Sequence, residues 1–80
     1  MKIQVTVTPK SGVLDPQGKA IAGALGRLGF EGVADVRAGK VFRVDVAASS
    51  TAEARAVAAA MAEKLLANPV IEEYEVEVLG

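Results

Sequence analysis

Eighty residues, half of them hydrophobic and with a formal net charge of −1, make one domain near the lower end of what folds alone. Such a charge balance gives no field that would draw in nucleic acid or an anionic membrane. The chain has no cysteine and no histidine. This excludes a disulfide framework and thiolate metal sites, and removes the commonest general base and metal ligand. The apolar content is largely Ala and Val, and only Phe30, Phe42 and Tyr74 are aromatic. A core of small side chains buries little area per residue, so stability is expected to be modest unless partners add to it. With no signal peptide or spanning segment recognisable, the expected location is cytoplasmic.

Residues 2–8 alternate strictly: Ile3, Val5 and Val7 share one face, and Lys2, Gln4, Thr6 and Thr8 the other. This is a half-buried strand closed by Pro9. Residues 10–14 form a loop. Residues 16–28 take a helical period, with Ile21, Leu25 and Leu28 in one stripe beside Ala24. Asp15 suits the N-cap and Pro16 the first helical position. Gly29 is a left-handed stop, with Phe30 placed to fold back on Leu25.

Two strands are expected next, at 33–38 and 41–48, joined by a turn at Ala38-Gly39-Lys40. Ser50 and Glu53 make a capping box that opens a second helix over 51–66. Its apolar stripe is Ala54, Ala58, Met61 and Leu65, widened by Val57. Asn68-Pro69 ends it, because the residue before proline avoids the helical region. A last strand over 73–79 alternates Tyr74, Val76 and Val78 with Glu73, Glu75 and Glu77. The order β-α-β-β-α-β predicts an α+β fold of one domain, 1–80. Its expected form is a four-stranded, mainly antiparallel sheet with both helices on one face, as in ferredoxin-like folds.

The other sheet face then carries Lys2, Gln4, Thr6, Thr8, Arg43, Asp45, Glu75 and Glu77, with Asp35 and Arg37. It is polar and of mixed sign, which suits water or a polar protein contact, including a second copy of the chain. Phe42 and Tyr74 fall on the covered face, so the open face has none of the aromatics of an RNA-binding sheet. No nucleic acid and no membrane is expected as a partner.

Chemistry is hard to find. Glu73, Glu75 and Glu77 line one exposed face with nothing to tune an acid. No serine or threonine has a histidine to activate it, and no loop clusters carboxylates for a metal. Gly23, Gly26 and Gly29 lie within or at the end of a helix, not in a strand-to-helix phosphate loop. Interior glycines cost about 0.5–1 kcal/mol each relative to alanine. At Gly23 and Gly26, tolerated drift and a close neighbour explain them equally well; at Gly18 a closely approaching backbone is the better reading.

Three segments taken together resemble one family. They are Leu14-Asp15-Pro16-Gln17-Gly18, Asp35-Val36-Arg37-Ala38-Gly39-Lys40, and Glu63 through Tyr74 with its Leu65-Leu66-Ala67-Asn68-Pro69-Val70-Ile71-Glu72-Glu73 run. The chain resembles the small subunit of phosphoribosylformylglycinamidine synthase, the PurS family, over nearly its whole length. The resemblance implies a role in de novo purine synthesis, where formylglycinamide ribonucleotide becomes its amidine with ATP hydrolysis and ammonia from glutamine. It implies a homo-oligomeric subunit without catalytic residues or a cofactor of its own. Such a subunit bridges a large, ATP- and magnesium-using synthase subunit and a glutaminase subunit, and assists ammonia transfer. Members often run further past the last strand than this chain does, so contacts of a longer tail are not implied here.

The residues carried over are Asp15, Pro16, Gln17 and Gly18, then Arg37, Gly39 and Lys40, then Leu66, Asn68, Pro69, Glu72 and Tyr74. Capping, turning and helix stopping account for about half of them. Gln17, Gly18, Arg37 and Lys40 have no evident local need, and are the residues expected at subunit contacts. A reading from another class is an ACT-like small-molecule-binding regulatory domain, which shares the element order and would place a ligand pocket at a dimer interface.

Overall fold

The computed structural model describes residues 1–80. Its elements are β1 (Lys2–Pro9), α1 (Pro16–Arg27), β2 (Lys40–Asp45), α2 (Thr51–Met61) running into a π-helical turn (Ala62–Leu66), and β3 (Glu72–Val78). The sheet is antiparallel with order β2-β1-β3. β1 sits centrally because its alternation is complete, and Ile3, Val5 and Val7 are fully buried. Across it Gln4 lies opposite Arg43 and Glu77, and the Arg43 Nε donates to Gln4 Oε1 at 3.0 Å on the open face.

The sheet thus has three strands, not the four expected. Residues 31–39 are not in a strand, and their main chain makes no backbone–backbone hydrogen bond. The expected hairpin at 38–40 fails for a physical reason. Two-residue hairpin turns need a positive φ, and neither Ala38 nor Gly39 has one. Gly39 instead crosses the end of β1, where a Cβ would stand 2.5 Å from the Val7 carbonyl oxygen. Asp35 and Arg37, expected on the open sheet face, therefore lie off the sheet.

Local signals shape the helices as expected. The Asp15 side chain accepts from the Gly18 N–H at 2.9 Å. At the far end of α1 the Gly29 N–H donates to Gly26 and the Phe30 N–H to Leu25, a Schellman closure with Gly29 left-handed. Ser50 Oγ accepts from the Glu53 N–H at 3.1 Å. The Glu53 carboxylate turns to the Ser49 hydroxyl and N–H instead of Ser50, so the capping box forms only by half. Those two hydrogen bonds from Ser49, the hydroxyl's first, hold the Glu53 carboxyl below its ordinary pKa.

α2 covers β1 and β3 with alanines. Ala54, Ala58 and Ala62 are fully buried against Ile3, Val5 and Val7, and small side chains let the helix approach closely. The expected stripe thus holds at Ala54 and Ala58 and shifts by one position after them, to Ala62: Met61 and Val57 are half-buried at its flank, and Leu65 is 83% exposed. The helix ends in a wider turn, in which the Ala67 N–H reaches the Ala62 carbonyl at 2.8 Å.

α1 is not on the sheet. Packing over the sheet comes from α2, and α1 projects with residues 30–38 as an arm. The molecule measures 49 × 25 × 15 Å with a radius of gyration of 15.7 Å, against about 12 Å for a compact chain of this length. Ile21, Leu28 and Phe30 on the arm are exposed.

Candidate docking surface

All three motif segments converge on one end of the sheet. The register places Lys40 beside Val7, Tyr74 beside Val7 and Glu72 beside Pro9. Lys10 follows directly and ties the end together: its N–H donates to the Ile71 carbonyl at 2.9 Å, and its Nζ donates to the Pro69 carbonyl at 2.6 Å.

The first cluster clamps the base of the arm. Asp15 accepts twice, from the Gly18 N–H through Oδ1 and from the Ala38 N–H through Oδ2, the latter at 2.8 Å. These two backbone bonds, Gly18 first, hold its carboxyl below the usual pKa, with the Arg37 charge adding to them against some desolvation. Arg37 donates to the Val13 carbonyl at 2.8 Å and lies 3.4 Å from the Asp35 carboxylate. Gly18 is buried, and a Cβ there would run into the Val36 carbonyl oxygen. The close approach expected at Gly18 is real, but the approaching backbone is the chain's own. Gly18 and Arg37 therefore have structural work that local sequence does not reveal. Between the arm's two strands of chain lies a cleft of about 280 Å³, edged by Asp15, Lys19, Asp35 and Arg37.

The second cluster shapes the turn between helix and last strand. The Asn68 N–H donates to Glu72 Oε1 at 2.8 Å, and Asn68 Oδ1 accepts from the Val70 N–H at 3.1 Å. The Glu72 N–H returns to the Asn68 carbonyl at 2.7 Å. Asn68, Pro69 and Glu72 so form one self-bonded turn. Tyr74, half-buried under the helix, donates to Glu63 Oε1 at 2.9 Å, and this bond raises its phenol pKa.

Pro16, Gln17, Gly39 and Lys40 are exposed at the same end. Beside them stand apolar side chains that the sequence reading passed over: Leu14 is 74% exposed, Val70 79% and Ile71 44%. Their signal was present, since each is a large aliphatic residue inside a turn-rich loop. The arrangement is a firmly clamped rim with an exposed, mixed apolar and polar surface, suited to holding a protein partner in a fixed orientation. No group of three or more carboxylates gathers as a metal site, and no helix is long and apolar enough to cross a membrane.

The family model for PurS, phosphoribosylformylglycinamidine (FGAM) synthase, matches residues 2–80. The chain belongs to the PurS family. It is thus a subunit of FGAM synthase, an enzyme of purine biosynthesis. The PurS subunit of Archaeoglobus fulgidus is 49% identical over 76 residues, 95% of each chain. That of Bacillus subtilis is 43% identical over 77 residues, 96% of this chain and 90% of the relative. Among solved structures, B. subtilis PurS in its C2 crystal form superposes with a TM-score of 0.83 at 42% identity, covering 95% and 94% of the two chains. A chain of PurLQS from Thermotoga maritima superposes at 0.86 with 36% identity, covering 95% and 93%. Membership of PurS decides between the two readings of the element order, in favour of the synthase subunit over the ACT-like regulatory domain.

Proposed function

We propose that the chain is the bridging subunit of an FGAM synthase complex. It joins a large subunit, which uses ATP and magnesium, to a glutaminase subunit, and assists passage of ammonia between them without contributing catalytic groups. The observation that carries this is the likeness to a chain of the T. maritima PurLQS structure over nearly the full length. The sheet end described above supports a location for the contact. There Gln17, Lys40, Leu14 and Val70 are exposed while Asp15, Arg37, Asn68 and Glu72 are tied into the rim. In this reading Asp15, Gly18, Arg37, Gly39, Asn68, Pro69, Glu72 and Tyr74 hold the rim's shape, and Gln17 and Lys40 touch the partner. The chain acts in the cytoplasm, as a homo-oligomer in which a four-stranded, ferredoxin-like sheet is completed.

Reconstitution tests the reading. The chain, the large subunit and the glutaminase, mixed with ADP, magnesium and glutamine, are expected to co-elute as one complex. Lys40→Glu with Gln17→Glu is expected to weaken co-elution at least tenfold without changing the chain's own unfolding. Separate elution of the unmodified chain in these conditions overturns the proposal.

A further inference from the structure

Lys10 stands where two parts of the rim meet. It follows β1 directly and holds the turn before β3 from both ends of the residue. Its N–H donates to the Ile71 carbonyl at 2.9 Å, and its Nζ to the Pro69 carbonyl at 2.6 Å. Its own carbonyl accepts from the Val13 N–H at 3.1 Å, and the Val13 carbonyl in turn accepts from Arg37 at 2.8 Å. One residue thus joins the helix-to-strand turn to the base of the arm. Val70, 79% exposed, lies between the two residues whose carbonyls Lys10 holds, and Leu14, 74% exposed, follows the tight turn that Lys10 opens. These two aliphatic side chains, the most exposed on the rim, are set relative to each other through Lys10.

The charge of Lys10 has a separate consequence. The residue is half-buried, and the Pro69 carbonyl occupies one of its three ammonium hydrogens. The molecule's two ion pairs, the Met1 ammonium with Asp45 and Arg37 with Asp35, leave it out. The acids at this end are spent or turned away. Asp15 accepts from the Gly18 and Ala38 N–H groups, Glu72 from the Asn68 N–H, and Glu63 from Tyr74. Glu73, opposite Thr8, lies on the open sheet face. Lys40, beside Val7 at the same end, has no acid partner either. The rim is therefore an apolar surface edged with free positive charge. A half-buried ammonium with one neutral acceptor gains most from a carboxylate that arrives with apolar surface to exclude water.

We infer that this end of the molecule takes an acidic segment of a larger synthase subunit. An Asp or Glu side chain of that segment sits on Lys10, and an aliphatic neighbour packs against Leu14 and Val70. Charge complementarity and the paired apolar groups select this occupant. The inference rests on the bridging role and adds to it the chemistry of the contact, together with a residue that lies outside all three motif segments.

Assembly of the full complex tests it, with the chain, the large subunit and the glutaminase in ADP, magnesium and glutamine. Lys10→Gln, which loses the charge, is expected to weaken co-elution about tenfold. Lys10→Arg, which keeps it, is expected to stay within about threefold of the unmodified chain. Assembly of the unmodified chain is expected to weaken more steeply with added salt than that of Lys10→Gln, a difference that a purely structural role of Lys10 would not produce. Zero-length carbodiimide cross-linking of the unmodified complex reads the contact itself: mass spectrometry is expected to find Lys10 in an amide with an Asp or Glu of one larger subunit. Equal co-elution of the unmodified chain and Lys10→Gln overturns the inference, as does coupling of Lys10 only to a second copy of this chain or to no carboxylate. Equal losses in Lys10→Gln and Lys10→Arg, with equal salt slopes, overturn it as well, because they assign Lys10 to the rim's shape alone. If the unmodified chain fails to assemble, the bridging role falls and the inference with it; if it assembles and Lys10 proves neutral, the inference falls alone.

Discussion

At Gly18 the start of a helix meets the returning chain backbone to backbone. A methyl group there has no flexible neighbour to push aside, because the obstacle is the Val36 carbonyl. Overpacking of this kind costs about 1–3 kcal/mol. Gly18→Ala is therefore expected to lower the unfolding free energy measured in urea by that amount, and Gly26→Ala, which meets nothing within 4 Å, to leave it unchanged or raise it. Equal effects at the two sites would show that the Val36 contact is not what fixes Gly18. Asp15 gives a pH signature at the same place. Its carboxyl pKa is lowered from an ordinary 3.8 by the Gly18 and Ala38 N–H groups. The stabilisation is thus fully present above the unfolded value and is lost as pH falls through the lower folded one. Asp15→Asn is expected to be less stable than the parent at pH 7, with the difference closing below about pH 4. A gap that stays constant down to pH 2, followed by thermal unfolding, would point to shape and not charge. Tyr74 runs the other way: its raised pKa means that its contribution holds below pH 10 and fades as pH rises through the folded value.

Elements differ in how far local sequence determines them. β1 was legible because strict alternation over residues 2–8 leaves one strand face to bury, and Ile3, Val5 and Val7 bury it. Both helix starts were legible because a cap is a contact within four residues, as Asp15 to Gly18 and Ser50 to Glu53 show. Residues 33–38 carry strand-like residues as well, yet form no strand. Residue pattern records which faces are apolar; it does not say whether a ladder partner lies within reach. Here Asp15, through Ala38, holds the segment against α1 and away from β2. The second half of the α2 stripe, after Ala58, was misplaced by one position for a related reason. Met61 and Leu65 have the hydrophobicity of core residues, but Ala62, following Ala54 and Ala58, has the size that close packing on β1 requires. The π-helical turn closing at Ala67 was not foreseen in the sequence. The candidate site divides likewise: the self-bonded turn at Asn68 and Glu72 follows from neighbours in sequence, whereas the roles of Gly18 and Arg37 depend on residues about twenty positions away.

For the whole molecule, composition already pointed to a shortage of core. Seven hydrophobic residues are buried, four of them alanine, which is little to offset the conformational entropy of eighty residues. Meanwhile Ile21, Leu28, Phe30, Val41 and Leu65 remain at the surface. In a homo-oligomer that covers such side chains at its contacts, stability depends on protomer concentration. For such a dimer each tenfold rise in concentration adds about 1.4 kcal/mol per mole of dimer. In domains of this size a kcal/mol corresponds to about 4–8 °C in Tm, and the dimer shares the gain between two chains. Raising the chain from 1 to 100 micromolar is therefore expected, on these scales (~1.4 kcal/mol per chain in total), to lift Tm by roughly 5–10 °C. Leu28→Asp, which puts a charge on the exposed apolar stripe of the arm, is expected to lower Tm and abolish that dependence. A Tm of the unmodified chain that is flat across this range would mean that the sheet with α2 supplies the whole of the stability, with the arm adding none.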